Sequence, residues 1–218
     1  EQYLALAKGE SVVALVPLVD APTIALGTAQ GVVKRVAASE LGTKDEIEII
    51  SLRDGDRVVG AAPAGDNAEL VFVASDAQLL RFDASSVRPQ GRSAGGMAGI
   101  RLSDGARVIA FAVVGASAFD AVVVTVAGSS AALPGTDAGS AKVSAFTEFP
   151  AKGRATGGVR AQRLLRGEDA LSLAWVGTDP RAVGADGSVR TLPETGAKRD
   201  ASGQPLEAVI GAIGTVVR

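Results

Sequence analysis

The chain contains no cysteine and no histidine among its 218 residues. Without cysteine it forms no disulfide, has no thiol nucleophile and offers no thiolate to a metal. Without histidine it lacks the commonest general base and the commonest metal ligand, and it cannot form a serine–histidine triad. These absences argue against an enzyme, because no convergent set of acid and base residues replaces the missing side chains.

Aromatic residues are also scarce, at 4% of the chain, although 47% of the residues are hydrophobic. The apolar runs stay well short of the roughly 20 residues that a membrane span needs. The chain has 27 glycines, and many Val and Gly residues with few aromatics indicate short strands joined by tight turns. No signal peptide is visible, so we expect a piece of a larger cytosolic protein.

The formal net charge is −2, with 22 basic and 24 acidic residues. This total gives no support to nucleic-acid binding by itself. A DNA-binding protein needs a basic surface rather than a basic total, so the argument depends on where the Lys and Arg residues lie.

Three short patterns recur along the chain in a fixed order, which indicates internal repeats. A turn followed by a basic strand occurs at residues 31–36, 77–82, 139–143 and 187–192. A Gly-Arg segment that runs into a strand occurs at residues 91–102 and 153–164. A polar turn followed by an apolar strand occurs at residues 8–15, 54–59, 104–109 and 166–171.

The repeats have a period near 50 residues, with one longer unit. The glycine of the polar turn recurs after 46, 50 and 62 residues, and the basic-strand pattern recurs after 46, 62 and 48 residues. Both markers lengthen in the same unit. The surplus coincides with the small-residue stretch 128–138, which we interpret as an inserted surface loop in the third unit.

Each unit contains short runs of β-prone residues bounded by Gly, Asp or Ser, and none shows a helical stripe. Four such units predict an all-β, propeller-like fold of about four blades with four strands each, in a single domain over residues 1–218. The expected blades cover roughly residues 11–60, 61–112, 113–176 and 177–218, with residues 1–10 closing the ring. A Kelch-type propeller has a similar repeat length, but its double-glycine strand and spaced aromatics are missing here.

The most apolar strands of this fold should supply its core. The residues expected to be largely buried are Val71, Phe72, Val73, Val122, Val123, Val124, Leu173 and Trp175.

Basic residues fall mostly within the first two patterns, so they should face the same way on each blade and form a basic rim. Such a rim would let a chain of net charge −2 bind phosphates. The alternative is that these residues are ordinary solvated charges that protect strand edges from aggregation. The candidate nucleic-acid-binding residues are Lys34, Arg35, Arg81, Arg88, Arg92, Arg101, Lys142, Lys152, Arg154, Arg160, Arg163, Arg190, Lys198 and Arg199.

Other chemistry-bearing patterns are weak. The pairs Asp54 with Asp56 and Glu168 with Asp169 lie in turns without a third repeated ligand, so we expect no metal site. The glycines of residues 91–99 are followed by neither a Gly-Lys-Ser/Thr sequence nor a helix, so we interpret them as turn or bulge glycines. We therefore predict no catalytic residue.

Taken together, the three patterns resemble the C-terminal domains of the A subunits of bacterial gyrase and topoisomerase IV. The shared motifs are a Gly-x-x-Lys/Arg strand, a Gly-Arg-x-x-x-Gly-Val/Met segment and a Gly-Asp-x-Val-Val strand. The stretches that match best are residues 87–102 and 148–160, and the resemblance covers nearly the whole chain.

This resemblance implies a β-pinwheel, a propeller-like ring whose blades exchange strands with their neighbours. It implies a non-catalytic domain that binds and bends duplex DNA on its rim through phosphates, with little sequence preference. The domain itself is expected to hold no cofactor, while the parent topoisomerase uses ATP and Mg. The expected partners are duplex DNA, the B subunit of the topoisomerase and the remainder of its A subunit, without a membrane. The isolated domain should be monomeric, and the protein cytoplasmic at the nucleoid.

One departure bears on the subfamily. Gyrase A domains carry a basic heptapeptide, Q-R-R-G-G-K-G, shortly after the first Lys-Arg strand, whereas residues 39–48 are acidic and contain one glycine. Topoisomerase IV is therefore the better match, and the weak fourth repeat at residues 196–203 agrees with it. A gyrase-type wrapping domain and a propeller that docks a protein partner remain the alternatives.

Overall fold

The computed structural model describes residues 6–17, 22–42, 44, 46–133 and 135–215. These residues form fifteen β-strands and three single turns of 3-10 helix, with no α-helix among them. The all-β prediction is confirmed. Each 3-10 turn directly follows the second strand of a hairpin, at Ala38–Glu40, Ala84–Ser86 and Phe146–Glu148.

The strands are short, as the frequent glycines and turn residues predict. In chain order they are β1 (Thr23–Thr28), β2 (Val32–Ala37), β3 (Val58–Pro63), β4 (Glu69–Ala74), β5 (Gln78–Asp83), β6 (Met97–Ala98), β7 (Val108–Val114), β8 (Val122–Gly128), β9 (Ser140–Ala145), β10 (Val159–Arg160), β11 (Ala170–Gly177), β12 (Arg181–Val183), β13 (Val189–Arg190), β14 (Gln204–Pro205) and β15 (Ala212–Gly214).

These strands form four small antiparallel sheets, one for each blade. Their strand orders are β3-β1-β2-β6, β10-β5-β4-β7, β11-β8-β9-β14 and β13-β12-β15. The inner strands β3, β7, β11 and β15 contact one another in succession. Side chains from all four line a common central cavity, which places the blades around one axis.

The outer strand of each complete sheet comes from the following repeat. Strand β6 follows the second hairpin but pairs with β2 of the first sheet, and β10 and β14 pair in the same way with β5 and β9. This exchange confirms the β-pinwheel fold. Within the described residues the fourth sheet has only three strands, so the expectation of four strands per blade holds for the first three sheets.

The blade limits drawn from the sequence stay a prediction. Because the outer strand of each of the first three sheets comes from the next repeat, no contiguous range of residues contains one of these blades completely. Of the segment expected to close the ring, residues 1–5 lie outside the described residues, and residues 6–10 form a turn rather than a strand. The inserted stretch is part of the connection between β8 and β9. It lies mostly at the surface, and Ser130 tethers it to Asp169 through two hydrogen bonds of 2.7 Å.

The polar turn has the same geometry in all four of its copies. A backbone N–H donates across the turn over 3.0 Å in each, from Glu10 to Ala7, Asp56 to Arg53, Ala106 to Ser103 and Glu168 to Leu165. The turn glycines Gly9, Gly55, Gly105 and Gly167 have φ of 94°, 70°, 75° and 95°. Because this left-handed conformation is unfavourable for side chains with a Cβ, it explains why glycine recurs there.

The core consists of two large clusters between neighbouring blades. Phe72 lies fully buried in the first, with its ring edge-on to Phe111 at 4.9 Å between centroids. All six residues predicted to be buried in β4 and β8 are buried. Leu173 and Trp175 are only half-buried, so the prediction of burial is wrong for these two. Trp175 lines the central cavity from β11.

Replacement of Phe72 by Ala should lower the free energy of unfolding by about 3–5 kcal/mol, since it leaves a cavity among packed side chains. Urea denaturation followed by circular dichroism measures the change. The matched control is Phe119→Ala, because Phe119 is 87% exposed and its loss should cost no more than about 0.5 kcal/mol. Equal costs for the two variants would contradict the placement of the core.

Candidate nucleic-acid interface

Three loop segments run along the outer edges of the first three sheets, and we call them together the outer belt. They comprise residues 88–101, 151–166 and 198–205. Each is bound to the edge strand beneath it by backbone hydrogen bonds, for example from Gln90 to Arg35 over 2.8 Å and from Lys152 to Arg81 over 3.0 Å. The belt therefore follows directly from the exchange of outer strands.

Successive segments of the outer belt are also joined to each other. The N–H of Ala155 donates to the carbonyl of Gly99 over 2.7 Å, and the N–H of Arg101 donates to Thr156 over 3.0 Å. The third segment joins through the N–H of Arg163, which donates to Ala201 over 3.1 Å. The belt is thus one continuous surface that crosses three blades.

Charge is strongly segregated onto this belt. Its three segments contain ten basic residues and a single acidic residue, Asp200, whereas the rest of the chain contains twelve basic and 23 acidic residues. The net charge of −2 therefore conceals a basic outer edge on an otherwise acidic domain. A local field of this kind attracts polyanions whatever the total charge.

The structure divides the candidate binding residues into three groups. The exposed ones are Arg88, Arg92, Arg101, Lys152, Arg160, Arg163 and Lys198. The half-buried ones are Arg81, Arg154, Arg190 and Arg199. The buried ones are Lys34, Arg35 and Lys142.

Arg35 is buried, so the expectation that it lies on an exposed rim is wrong. Its guanidinium donates to the carbonyls of Ala84, Val87 and Ala64 over 2.8–3.2 Å. It also donates to Thr23 over 3.1 Å and to the carboxylate of Asp66 over 2.6 Å. Because its donors are used within the chain, Arg35 joins the first two blades.

Lys34 and Lys142 are likewise buried, and they support the outer belt from beneath. The Lys34 ammonium donates to the carbonyls of Arg92 and Ala94, each over 2.7 Å. Lys142 donates to the carbonyls of Lys198 and Arg199 in the equivalent position of the third blade. Their repeated placement thus reflects a structural role, and the expectation of exposure is wrong for both.

Three half-buried arginines are partly engaged within the chain. Arg81 pairs with Glu69 at 3.1 Å and lies 4.4 Å from the centroid of the Phe146 ring. Arg154 donates to the carbonyl of Ala98 over 2.5 Å, which ties the second belt segment to β6. Arg190 pairs with Asp186 at 3.3 Å in the fourth sheet, away from the belt.

One residue of the belt is missing from the candidate set that the sequence predicts. Arg166 is exposed at the end of the second segment. The sequence does place it in a cluster of basic residues, in a stretch of sixteen residues, 151–166, with five basic and no acidic side chains. No group of three or more Asp or Glu residues in the described part of the chain is arranged to hold a metal ion. No helix there is long and apolar enough to cross a membrane.

Burial lowers the pKa of Lys34, and it lowers the pKa of Lys142 to about 8. Asp200 and Glu148 partly oppose the shift at Lys142, and Arg199 adds to it. Between this pKa and the ordinary value of 10.5, the unfolded chain binds a proton at Lys142 that the folded chain does not. The contribution of Lys142 to stability therefore rises with pH across that window.

We expect the free energy of unfolding of the native chain to rise by about 1–2 kcal/mol relative to Lys142→Met between about pH 7.5 and 9.5. Urea titrations at both pH values measure this difference. The exposed Lys152→Met variant is the control and should track the native chain at both values. The burial of this ammonium would be contradicted if the free energy of unfolding of the native chain, relative to that of Lys142→Met, fell or stayed constant as the pH rises.

These features define the class of the molecule: a strand-exchanged, propeller-like domain of four blades with a basic outer edge. Residues 22–64, 68–115 and 135–174, more than half of the chain, match the family model of the DNA gyrase C-terminal domain, beta-propeller. The chain therefore belongs to the DNA gyrase C-terminal domain family.

Relatives and solved structures agree with this assignment. The chain is 30% identical to the DNA gyrase A protein of Escherichia coli strain K12 over 162 residues, which are 72% of this chain and 17% of that protein. It is 31% identical to the DNA gyrase A protein of Mycobacterium tuberculosis strain H37Rv over 144 residues, 64% of this chain and 16% of that protein. The chain thus spans about a sixth of the length of the curated relatives that it matches.

The fold is similar to two solved C-terminal domains. The domain of DNA topoisomerase IV aligns with a TM-score of 0.75 and 19% identity, over 91% of this chain and 62% of that one. The domain of DNA gyrase A aligns with a TM-score of 0.74 and 16% identity, over 97% of this chain and 72% of that one. At these identities the similarity establishes the fold.

Proposed function

We propose that this domain binds duplex DNA along the outer belt and bends it, as a non-catalytic part of a bacterial type II topoisomerase. The observation that carries the proposal is the segregation of ten basic residues and one acidic residue onto one continuous surface across three blades. Phosphates are the natural ligand of such a surface, because guanidinium and ammonium groups neutralise them and release counterions.

Bending is the consequence of the belt's shape. Its segments follow the outer edges of blades arranged around an axis, so a duplex that contacts all three segments has to curve. DNA resists bending at a cost of a few kcal/mol for a site of this size. Contacts between the exposed cations of successive blades and the DNA phosphates offset that cost. Because phosphate contacts carry no sequence information, the affinity should depend little on the sequence of the duplex.

The parent enzyme is proposed to be a topoisomerase IV rather than a gyrase. This assignment rests on residues 39–48, which are acidic where gyrase A domains have a basic glycine-rich heptapeptide. The curated relatives are gyrase A proteins, and a gyrase-type wrapping domain is the competing assignment. In either case we propose that the domain acts in the cytoplasm beside the B subunit of the enzyme and the remainder of its A subunit. ATP and Mg would be used by those other parts of the enzyme and not by this domain.

Simultaneous replacement of Arg92 and Arg160 by Ala should weaken DNA binding without changing the fold. Both side chains are exposed. Each should neutralise about one phosphate, so the slope of log K against log salt should fall in magnitude by about 2. Fluorescence anisotropy with labelled duplexes of unrelated sequence measures the slope.

The control pair is Arg53→Ala with Arg57→Ala, since both arginines are exposed but lie beside the acidic turn at Asp54 and Asp56. This pair should change the slope little. Equal losses from the two pairs would show that DNA does not follow the belt. Absence of binding by the native chain at low salt would refute the proposed function.

Bending should be visible as a shortened end-to-end distance. A duplex of about 40 base pairs, roughly 136 Å at about 3.4 Å per base pair, carries donor and acceptor dyes at sites whose separation is within range of energy transfer. We expect the native chain to raise the transfer efficiency, and the Arg92, Arg160 double variant to raise it less at equal saturation. Binding with unchanged transfer would leave DNA binding standing and refute bending.

A further inference from the structure

A cleft opens where the first and second segments of the outer belt meet, and we call it the junction cleft. It has a volume of about 480 Å³, which is more than one phosphate group occupies. Each segment contributes one basic side chain to its lining, Arg101 from the first and Lys152 from the second. The lining contains no acidic side chain, since its other residues are Gln78, Leu102, Ser103, Thr156, Gly157 and Gly158.

Backbone hydrogen bonds hold the walls of the junction cleft in place. The N–H of Arg101 donates to the carbonyl of Thr156, and the N–H of Lys152 donates to the carbonyl of Arg81, each over 3.0 Å. The hydroxyl of Thr156 in turn donates to the carbonyl of Gly153 over 2.9 Å. Because the fold already orders these walls, a ligand that enters the cleft does not have to order them.

The two cations of the cleft have no counter-charge in the described part of the chain. Neither Arg101 nor Lys152 belongs to an ion pair there, and both side chains are exposed. Like charges that line one cleft repel each other, and an anion between them replaces this repulsion by attraction. The cleft therefore favours an anionic occupant.

Two backbone donors complete the lining. Gly157 and Gly158 are consecutive, and among the described residues neither donates its N–H to a backbone carbonyl. A Cβ on Gly157 would lie 3.8 Å from the carbonyl oxygen of Arg101, so the glycines lie beside the end of the first segment. Consecutive N–H groups in a turn bind phosphate oxygens, and a guanidinium binds two such oxygens at once. This set of donors suits a phosphate group.

The pair of cations is special to this junction. Backbone bonds at the same repeat positions identify the residues that correspond to Arg101 and Lys152 elsewhere. They are Ser51 and Gln90 where the residues before β3 meet the first segment, and Arg163 and Ala197 where the second segment meets the third. Neither of these junctions has two cations. The pair in the junction cleft is therefore not a general property of the repeat.

We propose that the junction cleft is a preformed phosphate-binding site. Arg101 and Lys152 flank one phosphate group, and the N–H groups of Gly157 and Gly158 bind its oxygens. The proposed function supplies the ligand, and the inference rests on it in this respect: the group is one backbone phosphate of the duplex, while a free phosphate offers the same chemistry. A single bound phosphate gives the duplex a fixed point on a belt whose other exposed cations lie outside the cleft.

Free phosphate provides the first test. The isotope-labelled chain of 218 residues is titrated with inorganic phosphate at constant ionic strength, and its amide resonances are followed by NMR. The resonances of Gly157 and Gly158 should shift and reach saturation, whereas those of Gly95 and Gly96, the equivalent glycines of the preceding junction, should hardly move. Equal shifts at both pairs, or none at Gly157 and Gly158, would overturn the proposal.

A double variant of the chain tests the two cations. Arg101→Gln with Lys152→Gln should weaken phosphate binding at Gly157 and Gly158 at least about tenfold, while circular dichroism stays unchanged because both side chains are exposed. The control is Arg53→Gln with Arg57→Gln, which removes the same charge from exposed positions outside the cleft and should bind phosphate like the native chain. Equal weakening by the two double variants would show general charge attraction and contradict a built site.

Duplex DNA provides the second test, by fluorescence anisotropy. Because both cations contact one phosphate, Arg101→Gln with Lys152→Gln should lower the magnitude of the slope of log K against log salt by about 1, and not by about 2. A fall of about 2 would assign two separate phosphates and overturn the single site. If DNA binds but Gly157 and Gly158 respond to neither ligand, the cleft is refuted and the proposed function stands. If they respond to phosphate but DNA does not bind, the cleft stands and the proposed function is refuted.

Discussion

The fold of the first three blades depends on one constraint, that the outer edge of each hairpin must find a backbone partner. A two-stranded hairpin is marginal in water, and an open edge invites unwanted pairing. Here the partner is a two-residue strand from the next repeat, such as β6 on β2. Neighbouring blades are consequently joined by backbone hydrogen bonds as well as by their packed cores, and no repeat is complete without its successor.

This constraint also explains the buried lysines. The loop that precedes an exchanged strand presents carbonyls to the blade beneath it, and buried carbonyls need donors. The ammonium of Lys34 supplies two such bonds at a cost in desolvation that its lowered pKa reflects. Leu80 holds the same position in the second blade and is buried as well. There the belt depends on backbone bonds and on Arg154 instead.

The repeats, the fold and the inserted loop could be predicted from the sequence, because they depend on local turns and strand patterns. The same patterns placed Lys34, Arg35 and Lys142 on a rim, because a strand pattern shows which residues alternate but not what covers each face. The atoms that bury Lys34 belong to residues 58 and 60 positions further along the chain. One signal was present, since Lys34 and Arg35 are adjacent in β2 and cannot both face one surface.

Under the proposed function, the acidic remainder of the chain has a consequence for how DNA would approach the domain. At physiological ionic strength charges are screened over about 8 Å. The electrostatic attraction of a duplex to the outer belt therefore depends mainly on the belt's own cations. Elsewhere on the domain, 23 acidic residues against twelve basic ones repel phosphates. An unfavourable surface everywhere else restricts the duplex to one path, and specificity requires such a difference between sites as much as attraction. A net charge near zero is thus compatible with a guided, curved course for DNA.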